Sequence, residues 1–252
     1  MALKIRTIIP AAVLAVLLAA PAYAHFPWIT LHDQNGAIQQ FEIGWGHDFP
    51  GDGLLDPDRV ESIRLIFPDG DERKIAADAG PPYSLSGIET AGTHIIEAIQ
   101  KGSYYSRTTQ GGRRGSRADH PNAISCGFST NTMKAFFPVD HGNGDVEKSL
   151  GHDLEIIPLA DPASLSSGDR LPVKVTFQGK PFTDSIYASW DGYNGDDAFA
   201  LALETSEEGL AEVPIENDGL WIIMANTSEN YPDPDVCDQH AYTATLTFRT
   251  GH

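Results

Sequence analysis

Residues 242–249 read YTATLTFR, and this stretch decides the fold class. Apolar side chains alternate with polar threonines, as in a β-strand that buries one of its faces. Four more apolar or alternating runs precede it at intervals of about 8–15 residues, as in sandwich folds; they are 171–178, 185–190, 211–215 and 219–225. Turn residues separate the runs, and none has the 3.6-residue period of a long helix. The pattern predicts a β-sandwich in the C-terminal part of the chain.

The N-terminal part has the same character. Short apolar or alternating runs indicate four further strands there, at 28–31, 39–45, 60–67 and 93–99, and a fifth run at 151–158 follows them. Turn signals such as Pro68-Asp69-Gly70 end them, because Pro presets φ and Gly accepts positive φ. The sequence therefore predicts an all-β chain with an N-terminal β domain at 25–148 and a C-terminal β-sandwich domain at 149–252.

Residues 101–125 interrupt the strand pattern. They contain the basic segment 110–117, QGGRRGSR, in an otherwise acidic chain. Its glycines and charges predict a solvated, mobile loop. The alternative is a docking patch or a lid.

The first 24 residues are typical of a secretory signal peptide. Lys4 and Arg6 precede an apolar run at 8–20, and Ala22-Tyr23-Ala24 is a small-x-small cleavage signal. The run is too short for a comfortable membrane span, and no later apolar run reaches 18 residues. We predict cleavage after Ala24, a periplasmic mature chain beginning at His25, and no transmembrane segment in it.

Charge excludes one class of partner. The net charge is −18, and it becomes −20 when the two basic residues of the signal peptide, Lys4 and Arg6, are removed. Such a chain repels nucleic acid and anionic lipid and attracts cations. With 41% apolar residues, four Trp and eleven Phe, it has enough apolar side chains to fill a core.

The chain has two cysteines, Cys126 and Cys237. Export to an oxidising compartment favours a disulfide between them. Closing a loop of this length stabilises a fold by roughly 4–5 kcal/mol in the chain-entropy model. The alternative, a pair of thiolate metal ligands, has little support because the two residues are far apart in sequence.

A mature N-terminal His25 would be a chelating group. Its free α-amine and its imidazole can bind one metal ion, and both deprotonate readily when a metal competes. Other candidate ligands are His47 in a Gly-rich loop, His152, and the pair Asp238 and His240, which leave the same face of a strand. Three nitrogens and one oxygen suit Ni(II) or Cu(II). Alternatively, each of these histidines only hydrogen-bonds the backbone.

The sequence gives no positive sign of an enzyme. It contains no H-E-x-x-H zinc motif, no G-x-S-x-G elbow, no P-loop and no G-x-G-x-x-G after a strand. We therefore expect a binding protein, either of a metal or of a carbohydrate, peptide or partner protein.

Several motifs occur together along the mature chain: 25–29, 46–52 with 58–62, 151–162 with 168–169 and 179–181, 219–223 and 242–248. This combination resembles the periplasmic family called domain of unknown function 4198, which is associated with nickel and cobalt uptake transporters. The resemblance covers nearly the whole mature chain and is weakest across 101–145.

The resemblance implies two tandem β-sandwich domains, immunoglobulin-like or carboxypeptidase-regulatory-like. It also implies an accessory protein that binds or delivers Ni²⁺ or Co²⁺ beside a membrane metal-uptake transporter. Carried over by position, His25 and His47 are the metal-site residues, and His152 either joins them or pins the domain junction.

Asp238-x-His240 before the last strand also resembles the small periplasmic copper-resistance β-sandwiches, which have a mature N-terminal His. That resemblance covers only the two ends of the chain. It makes copper the alternative metal.

Overall fold

The computed structural model describes residues 25–34, 37–140 and 144–251, so the predicted signal peptide at 1–24 lies outside it. The described residues form seventeen strands: β1 (Phe26–Gln34), β2 (Ala37–Gly46), β3 (Gly53–Leu54), β4 (Val60–Ile66), β5 (Glu72–Ile75), β6 (Tyr83–Ser84), β7 (Gly92–Thr108), β8 (Gly111–Arg114), β9 (Ser125–Val139), β10 (Leu154–Pro158), β11 (Arg170–Phe177), β12 (Lys180–Pro181), β13 (Ser185–Trp190), β14 (Leu201–Glu204), β15 (Leu210–Pro214), β16 (Gly219–Asn230) and β17 (Gln239–Thr250).

The strands confirm the predicted all-β class. Helical structure among the described residues is confined to three 3₁₀ turns, Pro57–Arg59, Ala77–Ala79 and Pro162–Ser164. None of these turns has the length or apolar character of a membrane-spanning helix.

A central sheet takes strands from both sides of the predicted boundary at residue 148. Its order is β14-β13-β16-β17-β9-β7-β4-β5, with β8 paired to β7. The pairs are antiparallel except one, since β9 and β17 run parallel from Gly127↔Gln239 to Phe136↔Phe248. This pairing joins the N-terminal and C-terminal segments by a backbone hydrogen-bond ladder.

Two smaller sheets cover the two faces of the central sheet. The front sheet, β1-β2-β3 with β6, packs on what we call the front face; the back sheet, β10-β11-β12 with β15, packs on the back face. Alternation along β9 sets the faces. Ala135 and Phe137 belong to the front core, whereas Phe136 belongs to the back core. Each outer sheet thus forms a sandwich with the shared central sheet.

The predicted loop at 101–125 is wrong over its first half. β7 continues to Thr108, and Gly111–Arg114 forms β8 against it. A register shift between Gln100 and Ser103 places Gly102 against Phe128, where a Cβ would lie 2.4 Å from the ring. Gly102 therefore makes room for an aromatic side chain and does not end the strand.

The predicted disulfide is confirmed between Cys126 and Cys237. It joins the start of β9 to the segment just before β17, where the parallel pairing begins. Asp238 reinforces this end, because its carboxylate accepts from the Cys126 N–H at 2.7 Å and pairs with Arg117 at 2.6 Å. A disulfide is typical of proteins that fold in an oxidising compartment.

A layer of charged side chains is buried on the back face. Arg64, Glu97 and Lys134 are cross-strand neighbours on β4, β7 and β9. Glu97 accepts from the Arg64 guanidinium at 2.6 Å and contacts His152 Nε2 at 2.7 Å. Lys134 Nζ donates to Glu155 at 2.9 Å. The buried charges are therefore paired, and they tie the segment leading into β10 to the central sheet.

Low pH is expected to weaken this layer. Burial alone would raise the pKa of Glu97, but hydrogen bonds from His152 and Arg64 outweigh it and lower the pKa to about 2. Because the pKa of Glu97 is lower in the folded chain than its unfolded value near 4.5, its charge stabilises the fold at pH values above 4.5. This contribution is lost as the pH falls toward 2. The difference corresponds to about 3 kcal/mol. Urea unfolding across pH 2–6 should show this loss.

The matched variants are Glu97→Gln and Glu72→Gln. Glu97→Gln removes the titrating group, so its stability should fall less steeply between pH 5 and 2. Glu72 is the exposed partner of Arg64, and Glu72→Gln should keep the steep fall. Equal slopes for all three proteins would contradict the assignment.

Candidate functional site

The candidate site begins at His25, whose position is set by β1. Thr245 Oγ1 donates to the Pro27 carbonyl at 3.0 Å, and Thr247 Oγ1 donates to the Ile29 carbonyl at 2.8 Å. Both threonines lie on the front face of β17. The exposed His25 ring is thus two residues from a carbonyl that the central sheet holds.

His47 meets His25 because β1 and β2 pair antiparallel. Phe26 is the partner of Gly46, so the residue before β1 lies beside the residue after β2. The ring centroids of His25 and His47 are 4.1 Å apart, with an interplanar angle of 48°. The structure therefore brings together the two histidines that the resemblance assigns to a metal site.

Gly46 and Asp52 fix the backbone of His47. The His47 N–H donates to Asp52 Oδ2 at 2.9 Å. This hydrogen bond is the largest influence that lowers the pKa of Asp52, and the nearby charge of His25 adds a smaller one. A Cβ on Gly46 would lie 2.1 Å from the Asp52 carboxylate. The glycine leaves the space that the carboxylate occupies.

Trp45 forms the wall behind His25. Its ring stacks with the His25 ring at a centroid distance of 5.8 Å and an angle of 13°. Arg59 places its Cζ 4.0 Å from the centre of the Trp45 ring, within the range of a cation–π contact. Sequence reasoning named Trp45 only as a candidate for carbohydrate, peptide or partner binding, and it missed Arg59 and Asp52 as site residues, although Asp52 lies in the same Gly-rich segment as His47.

His240 lies away from this pair. It shares the back face of β17 with Tyr242, while β1 covers the front face through Thr245. Tyr242 donates its hydroxyl proton to Glu229. His240 Nδ1 must then donate to Tyr242 at 2.8 Å, so Nε2 accepts from Thr130 at 2.7 Å. Burial lowers the pKa of His240, consistent with this neutral ring.

Asp238 and His152 also lie elsewhere. Asp238 is held by Arg117 and the Cys126 N–H. Its pKa is lowered, first by the hydrogen bond from Arg117. His152 contacts Glu97 in the buried charged layer, at the junction that sequence reasoning gave as its alternative role. Neither residue lies with His25.

The centroid distance of the two imidazoles can be compared with that of two rings bound to one transition-metal ion. With metal–nitrogen bonds of about 2.0–2.1 Å, rings in neighbouring coordination positions have centroids about 4–5 Å apart. The described part of the chain contains no cluster of three or more His, Cys, Asp or Glu side chains placed to hold a metal. A third donor next to this pair would be the amine that cleavage after Ala24 releases.

Comparison with models of known protein families identifies a family for this chain. The model of the family described as Domain of unknown function (DUF4198) matches residues 22–229. That range includes His25, His47 and His152 and ends before Asp238 and His240. No curated protein matches the chain.

Gly46→Ala should disturb this site. The added methyl overlaps the Asp52 carboxylate, so Asp52 must move and the His47 N–H loses its acceptor; overpacking of this kind costs about 1–3 kcal/mol. Urea unfolding should show the decrease in the free energy of unfolding. Gly51→Ala is the control in the same loop, because a Cβ there has nothing within 4 Å. Equal stabilities of the two variants would contradict the role given to Gly46.

Proposed function

The chain belongs to the DUF4198 family, and from this membership and the contact between His25 and His47 we propose that it is a periplasmic metal-binding accessory protein for nickel or cobalt uptake. The contact between the two rings carries the proposal. The metal is cargo in this account, and the protein is a binding protein and not an enzyme.

The mature chain supplies three nitrogen donors. The α-amine and the imidazole of His25 close one chelate, and the imidazole of His47 adds the third nitrogen. Nitrogen donors of this kind suit Ni(II), Co(II) and Cu(II). The Asp52 carboxylate, which already accepts from the His47 N–H, adds negative charge beside a bound cation. Positions on the ion that the protein does not fill are open to water or to a small ligand.

Delivery to a membrane transporter completes the proposal. The partner would be a component of a nickel or cobalt importer. Support for this step is the resemblance of the motifs around His25 and His47 to a transporter-associated family. A surface site with few protein ligands also suits cargo that must be released.

Copper is the alternative metal. A histidine brace completed by Asp238 and His240 would need those side chains beside His25, whereas they lie at the disulfide end of β17 and on its back face. A preference for Cu²⁺ over Ni²⁺ would not separate the two functions, since most nitrogen sites favour Cu²⁺. A Cu(II) spectrum with three nitrogen donors that His240→Ala abolishes would favour the brace.

Metal titration of the mature chain tests the proposal. We expect about one Ni²⁺ or Co²⁺ per chain by calorimetry. His47→Ala should weaken binding at least about tenfold, because the loss even of a residue that only supports a ligand costs 10–100-fold. One extra residue before His25 should weaken it as well, because it moves the amine away from the imidazole.

Two variants serve as controls. His32 lies on β1, about 20 Å along the chain from His25, and its Nε2 is 3.1 Å from the Glu42 carboxylate. His32→Ala should bind metal as the unmodified chain does, and so should His240→Ala. Absence of metal uptake at micromolar concentration by the mature chain would overturn the proposal.

A further inference from the structure

A cavity of about 990 Å³ opens on the front face beside Phe26, the first residue of β1. Four neighbouring strands, β7, β9, β17 and β16, contribute to its lining. His25, Trp45 and Arg59 line it from the side of the candidate metal site. The cavity is therefore continuous with that site but extends well beyond it.

The floor of the cavity changes from apolar to polar side chains where β1 begins, next to Phe26. Under Pro27 the cross-strand row across β7, β9, β17 and β16 is largely apolar: Ala98, Met133, Thr245 and Met224. The next row outward is entirely polar, with Gln100, Asn131, Thr243 and Asn226. Amides and hydroxyls thus begin where the cover of the front sheet stops. Such groups donate to hydroxyl and carboxylate oxygens and accept from hydroxyl groups.

The Nε2 group of one of these amides, Gln100, lacks a hydrogen-bond acceptor among the described residues. Gln100 is 1% exposed and lines the cavity, and its Oε1 accepts from Asn131 Nδ2 at 3.2 Å. Its Nε2 is buried without an acceptor among the described residues. A buried amide donor that remains unpaired costs about 1–3 kcal/mol. An acceptor on a bound molecule, directly or through a water, would satisfy it.

Two guanidinium groups line one end of the cavity. Arg59 and Arg114 both line it, and neither forms an ion pair with a described carboxylate. Burial, followed by the positive charge of Arg114, lowers the pKa of Arg59, and the carboxylate of Asp56 offsets this only in part. Two like charges in one wall, within an acidic protein, indicate an anion as the missing partner.

The wall that carries these arginines is built into the fold. Lys101 Nζ donates to the Asp58 carbonyl at 2.8 Å and holds the turn with Arg59 against β7. The Arg114 carbonyl contacts His120 Nε2 at 2.8 Å, which holds the end of β8. Asp184, the only carboxylate in the lining, lies before β13 at the opposite side of the four strands. The cavity is thus cationic at one end and acidic at the other.

We propose that this cavity binds a small organic carboxylate that carries several hydroxyl groups. The carboxylate faces Arg59 and Arg114, and the hydroxyls face the amide and hydroxyl row of the floor and Asp184. Trp45 and the exposed ring of Tyr105 supply apolar walls against the carbon chain. The site lies beside His25 but needs no metal, so it does not rest on the proposed metal function.

The test uses D-gluconate and D-sorbitol, which have the same carbon chain and differ at one end, a carboxylate against an alcohol. Both are titrated by calorimetry into the mature chain after removal of metal with a chelator and dialysis. We expect gluconate to bind at least tenfold more tightly than sorbitol. Equal binding of the two would assign the cavity to a neutral sugar, and no binding of gluconate would exclude the class; both results overturn the proposal.

Variants locate the site. Arg114→Gln and Arg59→Gln should each weaken gluconate binding at least tenfold. Arg113→Gln is the matched control, since Arg113 is the exposed neighbour on β8 and does not line the cavity. Thermal unfolding of each variant verifies that the fold is kept. An equal loss in Arg113→Gln would overturn the assignment, because it would show an effect of net charge alone.

A further variant separates the two proposals. His47→Ala removes a proposed metal ligand that does not line the cavity, and it should leave gluconate binding of the metal-free protein within about twofold. Gluconate binding that appears only when Ni²⁺ is present, and disappears in His47→Ala, would place the anion on the metal. That result would overturn the cavity proposal and leave the metal proposal standing.

Discussion

The parallel pairing of β9 with β17 is the constraint on which the architecture depends. It joins strands more than 100 residues apart and turns two groups of strands into one sheet. The Cys126–Cys237 disulfide lies at the start of this pair. In the unfolded chain it keeps the first residues of the two strands close together, which lowers the entropy lost when they pair. Because this sheet is shared, each outer sheet covers one of its faces and the two cores lie back to back.

Neighbouring residues on one strand of that sheet meet different surroundings on its two faces. On β7 and β9, Glu97 and Lys134 point to the back face and are buried, where Glu97 contacts His152 of the segment before β10 and Lys134 donates to Glu155 of β10. Their neighbours Ala98 and Met133 point to the front face and pack under the front sheet. Farther along the same strands Gln100 and Asn131 meet no covering strand. Stability is therefore concentrated where both faces are covered, and open polar surface is left where only one is.

Local patterns predicted much of this fold, and tertiary pairing decided the rest. Alternation along 242–249 correctly indicated a strand, and the sequence neighbours β1 and β2 form the hairpin that unites His25 with His47. The segment 101–125 was misjudged because Gly102 and Gly112 resemble loop residues. In the fold each leaves room for an aromatic ring, Phe128 and Tyr105. Arg59, in a 3₁₀ turn, and Gln100, on β7, lie near His25 only in the folded chain. The spacing of residues along the sequence does not indicate that they are close.

The way in which β1 is anchored matters for the amine that the proposed cleavage after Ala24 would release at His25. A new amine at a mobile tail would bind a metal only after paying the entropy of ordering that tail. Here the Pro27 carbonyl is held by Thr245, and Phe26 packs with Trp28 and Phe199 in a separate buried cluster that includes Ile222 and Met224 of β16. Cleavage after Ala24 would therefore release an amine whose position the sheet already restricts. The front sheet stops covering the front face where β1 begins, so the start of this strand both presents His25 and borders the cavity beside it.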